Sequence, residues 1–255
     1  MSIYSRQLGQ GADLVLVHGW GMNSAVWEPL LSTLSQHYRI TLVELPGHGG
    51  SAAAGGPDLA DWAARLLAVA PARAWWLGWS LGGQVALQAA LDQPGRVDGL
   101  VLVGATPRFV QGDDWPCAMQ VTTFHQFADA LASDPSTTLM RFLALQVSGA
   151  EHARDTLKLL RDELGQRPPA TAAGLAQGLD LLLQTDLRAR LADLQCPTHW
   201  LFGARDTLVP SSLQAHLRDL LPGTTIDVIG GAGHAPFLSH PQESLAVLAR
   251  RIGQA

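Results

Sequence analysis

The sequence predicts an α/β fold with a mostly parallel central sheet flanked by helices and a helical segment inserted into it. Three observations carry this. Short β-rich runs alternate with helical patterns along most of the chain, the signature of strands joined by crossover helices. The runs Leu14-Val15-Leu16-Val17 and Leu100-Val101-Leu102-Val103 are continuously apolar, as strands covered on both faces are. The alternation stops near Arg108 and resumes near Cys196, leaving a stretch of helical periodicity without a convincing strand.

In chain order, strands are expected at Ile3 to Leu8, Leu14 to Val17, Ile40 to Glu44, Ala74 to Leu77, Leu100 to Val103, Thr198 to Phe202 and Thr225 to Ile229. Helices are expected near Trp27 to Leu34, Leu59 to Val69, Gln84 to Leu91, Ser211 to Leu220 and Gln242 to Ile252. Pro135 and Arg167-Pro168-Pro169 interrupt the helical stretch. The reading is therefore a sheet core from 1–107 and 188–255, with 108–187 as a helical cap.

Composition excludes several classes of function. With 255 residues, 47% hydrophobic and 15% charged, the chain can bury a sizeable core without disulfide or metal staples. A net charge of −5 argues against a general nucleic-acid binder, which must neutralise phosphates. The two cysteines, Cys117 and Cys196, form no CxxC pair. The segment Met1 to Leu8 lacks the apolar core of a signal peptide, and no stretch reaches the ~18–20 apolar residues of a membrane span. These features predict a soluble cytoplasmic protein. Lys158 is the one lysine, and no G-x-x-x-x-G precedes it, which removes the Walker phosphate loop.

Gly78-Trp79-Ser80-Leu81-Gly82-Gly83 follows one expected strand and opens an expected helix. G-x-S-x-G in this setting is a sharp turn that needs small flanking residues and lifts the serine hydroxyl clear of the sheet. Such a hydroxyl is a weak nucleophile unless a base and an orienting acid stand by. The expected order for this turn is Ser, Asp or Glu, then His. Asp206 follows the strand Thr198 to Phe202, and His234 follows Thr225 to Ile229 through Gly230-Gly231-Ala232-Gly233. Both thus fall at the C-terminal sheet edge, with Ser80. Asp227 and Asp219 fall within a strand and a helix and are poorer candidates. Oxyanion donors are expected from the N–H of Leu81 and, in the His18-Gly19-Trp20-Gly21 loop, of Trp20. His18 reads as a residue that positions this loop. Trp20 and Trp79 flank the site, as core or as acyl-pocket lining.

Two other signals fail. Gly47-His48-Gly49-Gly50-Ser51-Ala52 fits a dinucleotide fingerprint formally, but Gly55-Gly56-Pro57 breaks the helix that would hold a pyrophosphate. No HExxH occurs, and His234 and His240 are badly spaced for one metal, so neither metal nor cofactor is expected.

These motifs give the chain its resemblance to the α/β-hydrolase superfamily. Within it, the chain resembles the biotin-pathway carboxylesterases that demethylate pimeloyl-acyl-carrier-protein methyl ester. The residues concerned are His18 to Asn23, Gly78 to Gly83, Phe124-His125-Gln126-Phe127, Arg141 to Gln146 and His234-Ala235-Pro236-Phe237. The resemblance implies Ser80 as nucleophile, His234 as base and Asp206 as orienter, with Trp20 and Leu81 at the oxyanion. It also implies substrate contacts from Phe142, Leu143, Ala144, Leu145 and Gln146. Glu44 stands where many members carry Asp before the P-G-H-G loop, a departure read as remote from the chemistry.

The cap carries Arg154, Lys158 and Arg161 at i, i+4 and i+7, one helix stripe, with Asp155 and Asp162 expected on another side. The resemblance implies that Arg141, Arg154 and Lys158 dock an acyl-carrier protein, and that Thr137 replaces a further arginine. A solvated, ion-paired helix face shows the same pattern. The net charge of −5 opposes long-range approach of an acidic partner, so any attraction is local. The expectation is a monomeric serine carboxylesterase acting on the carrier-bound ester and on small esters. A broad short-chain esterase, a carbon–carbon bond hydrolase or aminopeptidase, and a non-catalytic ligand-binding module remain open.

Overall fold

The computed structural model describes residues 2–52, 56 and 58–252. Met1, Gly55, Pro57 and the last three residues of the expected core lie outside them. The strands are β1 (Ser5–Leu8), β2 (Ala12–Val17), β3 (Tyr38–Val43), β4 (Ala74–Trp79), β5 (Val97–Val103), β6 (Thr198–Gly203) and β7 (Thr225–Ile229). They form one sheet in the order β1-β3-β2-β4-β5-β6-β7. Only β1 runs antiparallel, against β3; the other neighbours are parallel.

The helices alternating with these strands are α1 (Glu28–Leu34), α2 (Leu59–Val69) and α3 (Leu81–Asp92) early in the chain. Four more, α4 (Val121–Ser133), α5 (Pro135–Gln146), α6 (Ala153–Leu164) and α7 (Ala172–Gln184), separate β5 from β6. Then come α8 (Gln214–Leu220), α9 (Pro236–Ser239) and α10 (Pro241–Ile252). Every expected strand and helix has its counterpart, with ends shifted by up to three residues. No described helix is long and apolar enough to cross a membrane.

The continuous apolar runs divide by parity. Val15 and Val17 join the core cluster that holds α2, α3 and α8; Leu14 and Leu16 join the one that holds α1 and α10. Successive strand side chains point to opposite faces, so a strand clad on both needs apolar residues throughout. All eight tryptophans are buried. Pro135 opens α5, its first turn capped by the Asp134 carboxylate, which accepts from Thr137 N–H at 3.1 Å. Between α6 and α7, Arg167-Pro168-Pro169 runs as an irregular connection. Within the helical segment α4 packs on α5 and α7, while α6 reaches α9 and the 3-10 turn Ser24–Trp27 of the core.

Candidate active site

Ser80 sits between β4 and α3 with φ 56° and ψ −121°, a backbone that side-chain-bearing residues rarely adopt. Its N–H donates to the Val103 carbonyl (2.9 Å), which ties the turn to the end of β5. The flanking glycines are required by space. A Cβ at Gly78 would lie 2.5 Å from the Gly82 carbonyl, and one at Gly83 would lie 2.5 Å from Ala105 Cβ. The turn therefore exists only with small residues at these places.

His234 and Asp206 meet as the topology requires. His234 Nδ1–H donates to Asp206 Oδ2 at 2.8 Å, with both side chains almost fully buried. Asp206 Oδ1 accepts from Leu208 N–H (2.8 Å) and Val209 N–H (2.9 Å), so both carboxylate oxygens are engaged. With its proton on Nδ1, the imidazole carries its lone pair on Nε2. That atom is buried and has no hydrogen-bond partner among the described residues. The His234 loop is pinned from two sides: His234 N–H donates to the Gln146 carbonyl, and Trp79 Nε1–H donates to the His234 carbonyl, each at 2.9 Å. Gly104, next to Val103, lies against the His234 ring, where a Cβ would come within 3.1 Å of Nδ1. Ser80, anchored to Val103, and the His234 ring, against Gly104, thus sit at adjoining points of one strand end.

The Trp20 and Leu81 amides donate to no acceptor among the described residues. Leu81 opens α3, where a helix presents unpaired N–H groups and positive dipole to an anion. The loop holding Trp20 rests on two histidines. Leu45 N–H donates to His18 Nε2 (3.1 Å), and His18 Nδ1–H donates to the Gly19 carbonyl (2.8 Å). Gly21 N–H donates to His48 Nε2 (3.2 Å), and His48 Nδ1–H donates to the Pro46 carbonyl (2.9 Å). Each ring must be neutral to accept these bonds. Burial lowers His18 to about 4 and His48 to about 3, which keeps them so. His18 thus has both nitrogens committed to the backbone, as a loop-positioning residue should.

Glu44, read from the sequence as a departure remote from the chemistry, is bound into the framework beside this loop. It is fully buried and accepts from Ser24 Oγ–H (2.8 Å), Gly50 N–H (2.5 Å) and Arg167 Nε–H (2.8 Å) and Nη2–H (3.1 Å). Burial alone would raise its carboxyl, but Arg167, the Gly50 amide and Ser24 hold it below its ordinary value. Arg167 also lies 3.8 Å over the Tyr4 ring. The residue after Val43 is thus one point where the helical segment joins the core.

The remaining expected residues scatter. Phe142 packs edge-on to Trp20 (4.9 Å between rings) and lines, with Leu145, Phe127 and Leu208, an apolar slot beside the Asp206 loop. Trp20 Nε1–H donates to the Leu175 carbonyl of α7 (2.9 Å). Leu143 packs instead in the opposite core cluster, and Ala144 is exposed. Gln146 contributes its main-chain carbonyl to His234, while both atoms of its buried carboxamide lack partners among the described residues. Trp79 is buried in the same cluster as Leu143 and holds the His234 carbonyl. Arg141, Arg154 and Lys158 are all exposed. Lys158 Nζ–H donates to Asp162 at 2.5 Å, so Asp162 shares its side of α6. The expectation that Asp162 faces elsewhere is corrected by helix geometry: residues four apart are neighbours on one face.

The α/β hydrolase fold family model matches residues 14–241. The chain belongs to the α/β-hydrolase family. This hydrolase is 44% identical over 256 residues to the pimeloyl-[acyl-carrier protein] methyl ester esterase of Aeromonas salmonicida, covering 99% of this chain and 100% of that one. It is 46% identical to the Stenotrophomonas maltophilia protein of the same name, over 94% and 92% of the two chains. An esterase from Exiguobacterium antarcticum superposes on the hydrolase with a TM-score of 0.89 at 24% identity, covering 99% and 96%. Esterase RhEst1 from a Rhodococcus species gives 0.78 at 26%, covering 99% and 94%.

Proposed function

We propose that this hydrolase cleaves the methyl ester of pimeloyl-acyl-carrier protein, releasing methanol and carrier-bound pimelate for biotin synthesis. The observation that carries this reading is the 44–46% identity, over nearly the whole chain, to enzymes of that name. The meeting of Asp206 with His234 beside the strained Ser80 turn supports the chemistry.

In the proposed reaction Ser80 Oγ attacks the ester carbonyl carbon while His234 Nε2 takes the hydroxyl proton. The N–H groups of Trp20 and Leu81 hold the oxyanion of the tetrahedral intermediate. Collapse breaks the bond to the methoxy group, which leaves as methanol with the proton from His234. Water then attacks the acyl-enzyme, gives its proton to the same nitrogen, and releases the carboxylate and Ser80. Asp206 keeps the proton on Nδ1 and stabilises the imidazolium.

Residues 108–187 act in this proposal as a cap over the core formed by 1–107 and 188–255. Its apolar slot at Phe142 and Leu145 receives the chain, and the free Gln146 carboxamide meets a polar substrate atom. Arg141 and Arg154 form no ion pair among the described residues and provide the docking charge for an acidic carrier, with Lys158 muted by Asp162. The proposal includes action as a monomer in the cytoplasm and turnover of small esters at lower efficiency.

The deciding comparison is hydrolysis of pimeloyl-carrier methyl ester against free dimethyl pimelate, at low and high salt. A large preference for the carrier-bound ester that shrinks with salt is expected. Equal, salt-independent rates would leave a broad esterase without a carrier role.

A further inference from the structure

Away from Ser80 and His234, three side chains that the proposed reaction does not use converge where the helical segment meets the core. Glu151 and His152 precede α6, and His240 lies between α9 and α10. One ligating atom of each lies within 4.8 Å of the others. His240 is buried while Glu151 and His152 are exposed, so the cluster is anchored at one end and open to solvent at the other. The two imidazole rings stand 5.8 Å apart at 63°.

The surrounding bonds leave donors free. Ser239 Oγ–H donates to the Ala235 carbonyl (3.4 Å), so its oxygen accepts the Nδ1–H of His240 (2.8 Å). That partner fixes the tautomer with the lone pair on Nε2, the arrangement that outer partners impose on metal-binding histidines. His152 stands at the N-cap of α6 but its ring does not cap the helix. The carboxylate of Glu151 takes one bond from Arg205 Nη2–H (3.2 Å) through Oε1, which leaves Oε2. Arg205 is half exposed and also donates to the Gly149 carbonyl (3.1 Å), so it can turn outward while keeping one contact.

We propose that Glu151, His152 and His240 form a site for a divalent transition-metal ion, with zinc as its probe, that clamps the helical segment to the core. Two imidazole nitrogens and one carboxylate oxygen, completed by water, suit zinc and its neighbours; calcium and magnesium want more oxygens. Tetrahedral coordination brings the ligand atoms to about 3.3 Å from one another, which rotation of the two exposed side chains supplies. The clamp reaches the His234 loop as well. Glu151 N–H donates to the Gly231 carbonyl at 2.8 Å, three residues before His234, so an ion held here also restrains that turn.

Zinc titration by calorimetry, with the visible spectrum of the cobalt form, tests the proposal on the whole chain. One ion per chain with a micromolar Kd is expected, and a melting temperature about 5 °C higher at a hundredfold excess of zinc over Kd. His152→Asn suits the left-handed backbone at this residue (φ 55°), so the metal-free melting temperature should hold. That variant should bind zinc at least tenfold more weakly and lose the cobalt d–d bands, while His234→Asn keeps both. Unchanged zinc affinity in His152→Asn, affinity lost only in His234→Asn, or no binding at millimolar zinc would each overturn the site.

Discussion

At the sheet edge, the groups proposed for chemistry are held by bonds that leave almost no freedom. Asp206 has both oxygens engaged, His234 is fixed at its ring and at both main-chain polar groups, and Ser80 is tied to Val103. The helical segment α4–α7 is attached differently. Its inner side joins the core cluster through residues such as Phe142, Leu175 and Leu182. Polar contacts at its rim add to this, among them Arg167 on Glu44, the Leu175 carbonyl on Trp20, Thr171 on Gly47, and the Gln146 carbonyl on His234. Much of its outer surface is exposed. In the proposed reaction this arrangement separates the placement of the reacting groups, which tolerates no slack, from the exposed surface proposed to meet the substrate.

The largest test of this division lies at the edge. Ser80→Ala should lower kcat on any ester by at least ~10⁴-fold, and Asp206→Asn by about 10³–10⁴-fold, since its amide favours the wrong imidazole tautomer. Both should fold, as circular dichroism will show. Activity within tenfold of the native chain in either variant would remove these residues from the mechanism.

Arg167→Met attacks the attachment instead. It leaves the buried Glu44 carboxylate without its cation, a change costing on the order of 3 kcal/mol, or about 6–12 °C in melting temperature for a chain of this size. If the two regions are independent, kcat on a small ester should change far less than for Ser80→Ala. A loss of stability below 1 °C would mean that Glu44 is satisfied without Arg167.

Acid probes the layer between the two. His18 and His48 titrate in the unfolded chain near the ordinary imidazole value of 6.5, but only at about 4 and about 3 when folded. Between these values the unfolded state binds more protons, so stability rises with pH there. Their full contribution is present above pH 6.5 and drains away as pH falls towards 4 and then 3. Glu44, lowered from 4.5, adds a further loss below that value. Urea midpoints measured from pH 7 to 4 should fall steadily, and His48→Gln should flatten the curve. A midpoint constant to pH 5 would show that these rings are not held neutral.

How far the sequence carried this picture depends on the range of each interaction. The Ser80 turn was readable because its demand for small residues shows in the local motif: Gly78 is refused a Cβ by backbone four and five residues on, and Gly82 by the end of the adjacent strand β2. Asp206 and His234 are 28 residues apart, yet parallel strands deliver both to one edge, so topology replaced contact prediction. Glu44 and Arg167 are 123 residues apart, and nothing in either local pattern announces the pair. The Gln146 carbonyl on His234 was invisible for another reason, since main-chain acceptors carry no residue signature. The Lys158–Asp162 pair was different: its spacing of four lay in plain view.

That pair sets the finest test. Both partners are exposed, and their attraction is weak and screened by salt. In the proposed docking surface, Asp162 cancels one of the charges that face an acidic carrier. Asp162→Asn should therefore free the Lys158 ammonium and lower KM for the carrier-bound ester by about twofold at low salt. KM for dimethyl pimelate should stay unchanged, and the gain should vanish at high salt. Arg154→Ala should move KM the other way under the same conditions. If Asp162→Asn has no effect while Arg154→Ala does, the carrier meets the start of α6 and does not reach its middle. If neither changes KM, the stripe on α6 is an ordinary solvated face, and the outer surface of the helical segment plays no part in selecting the carrier.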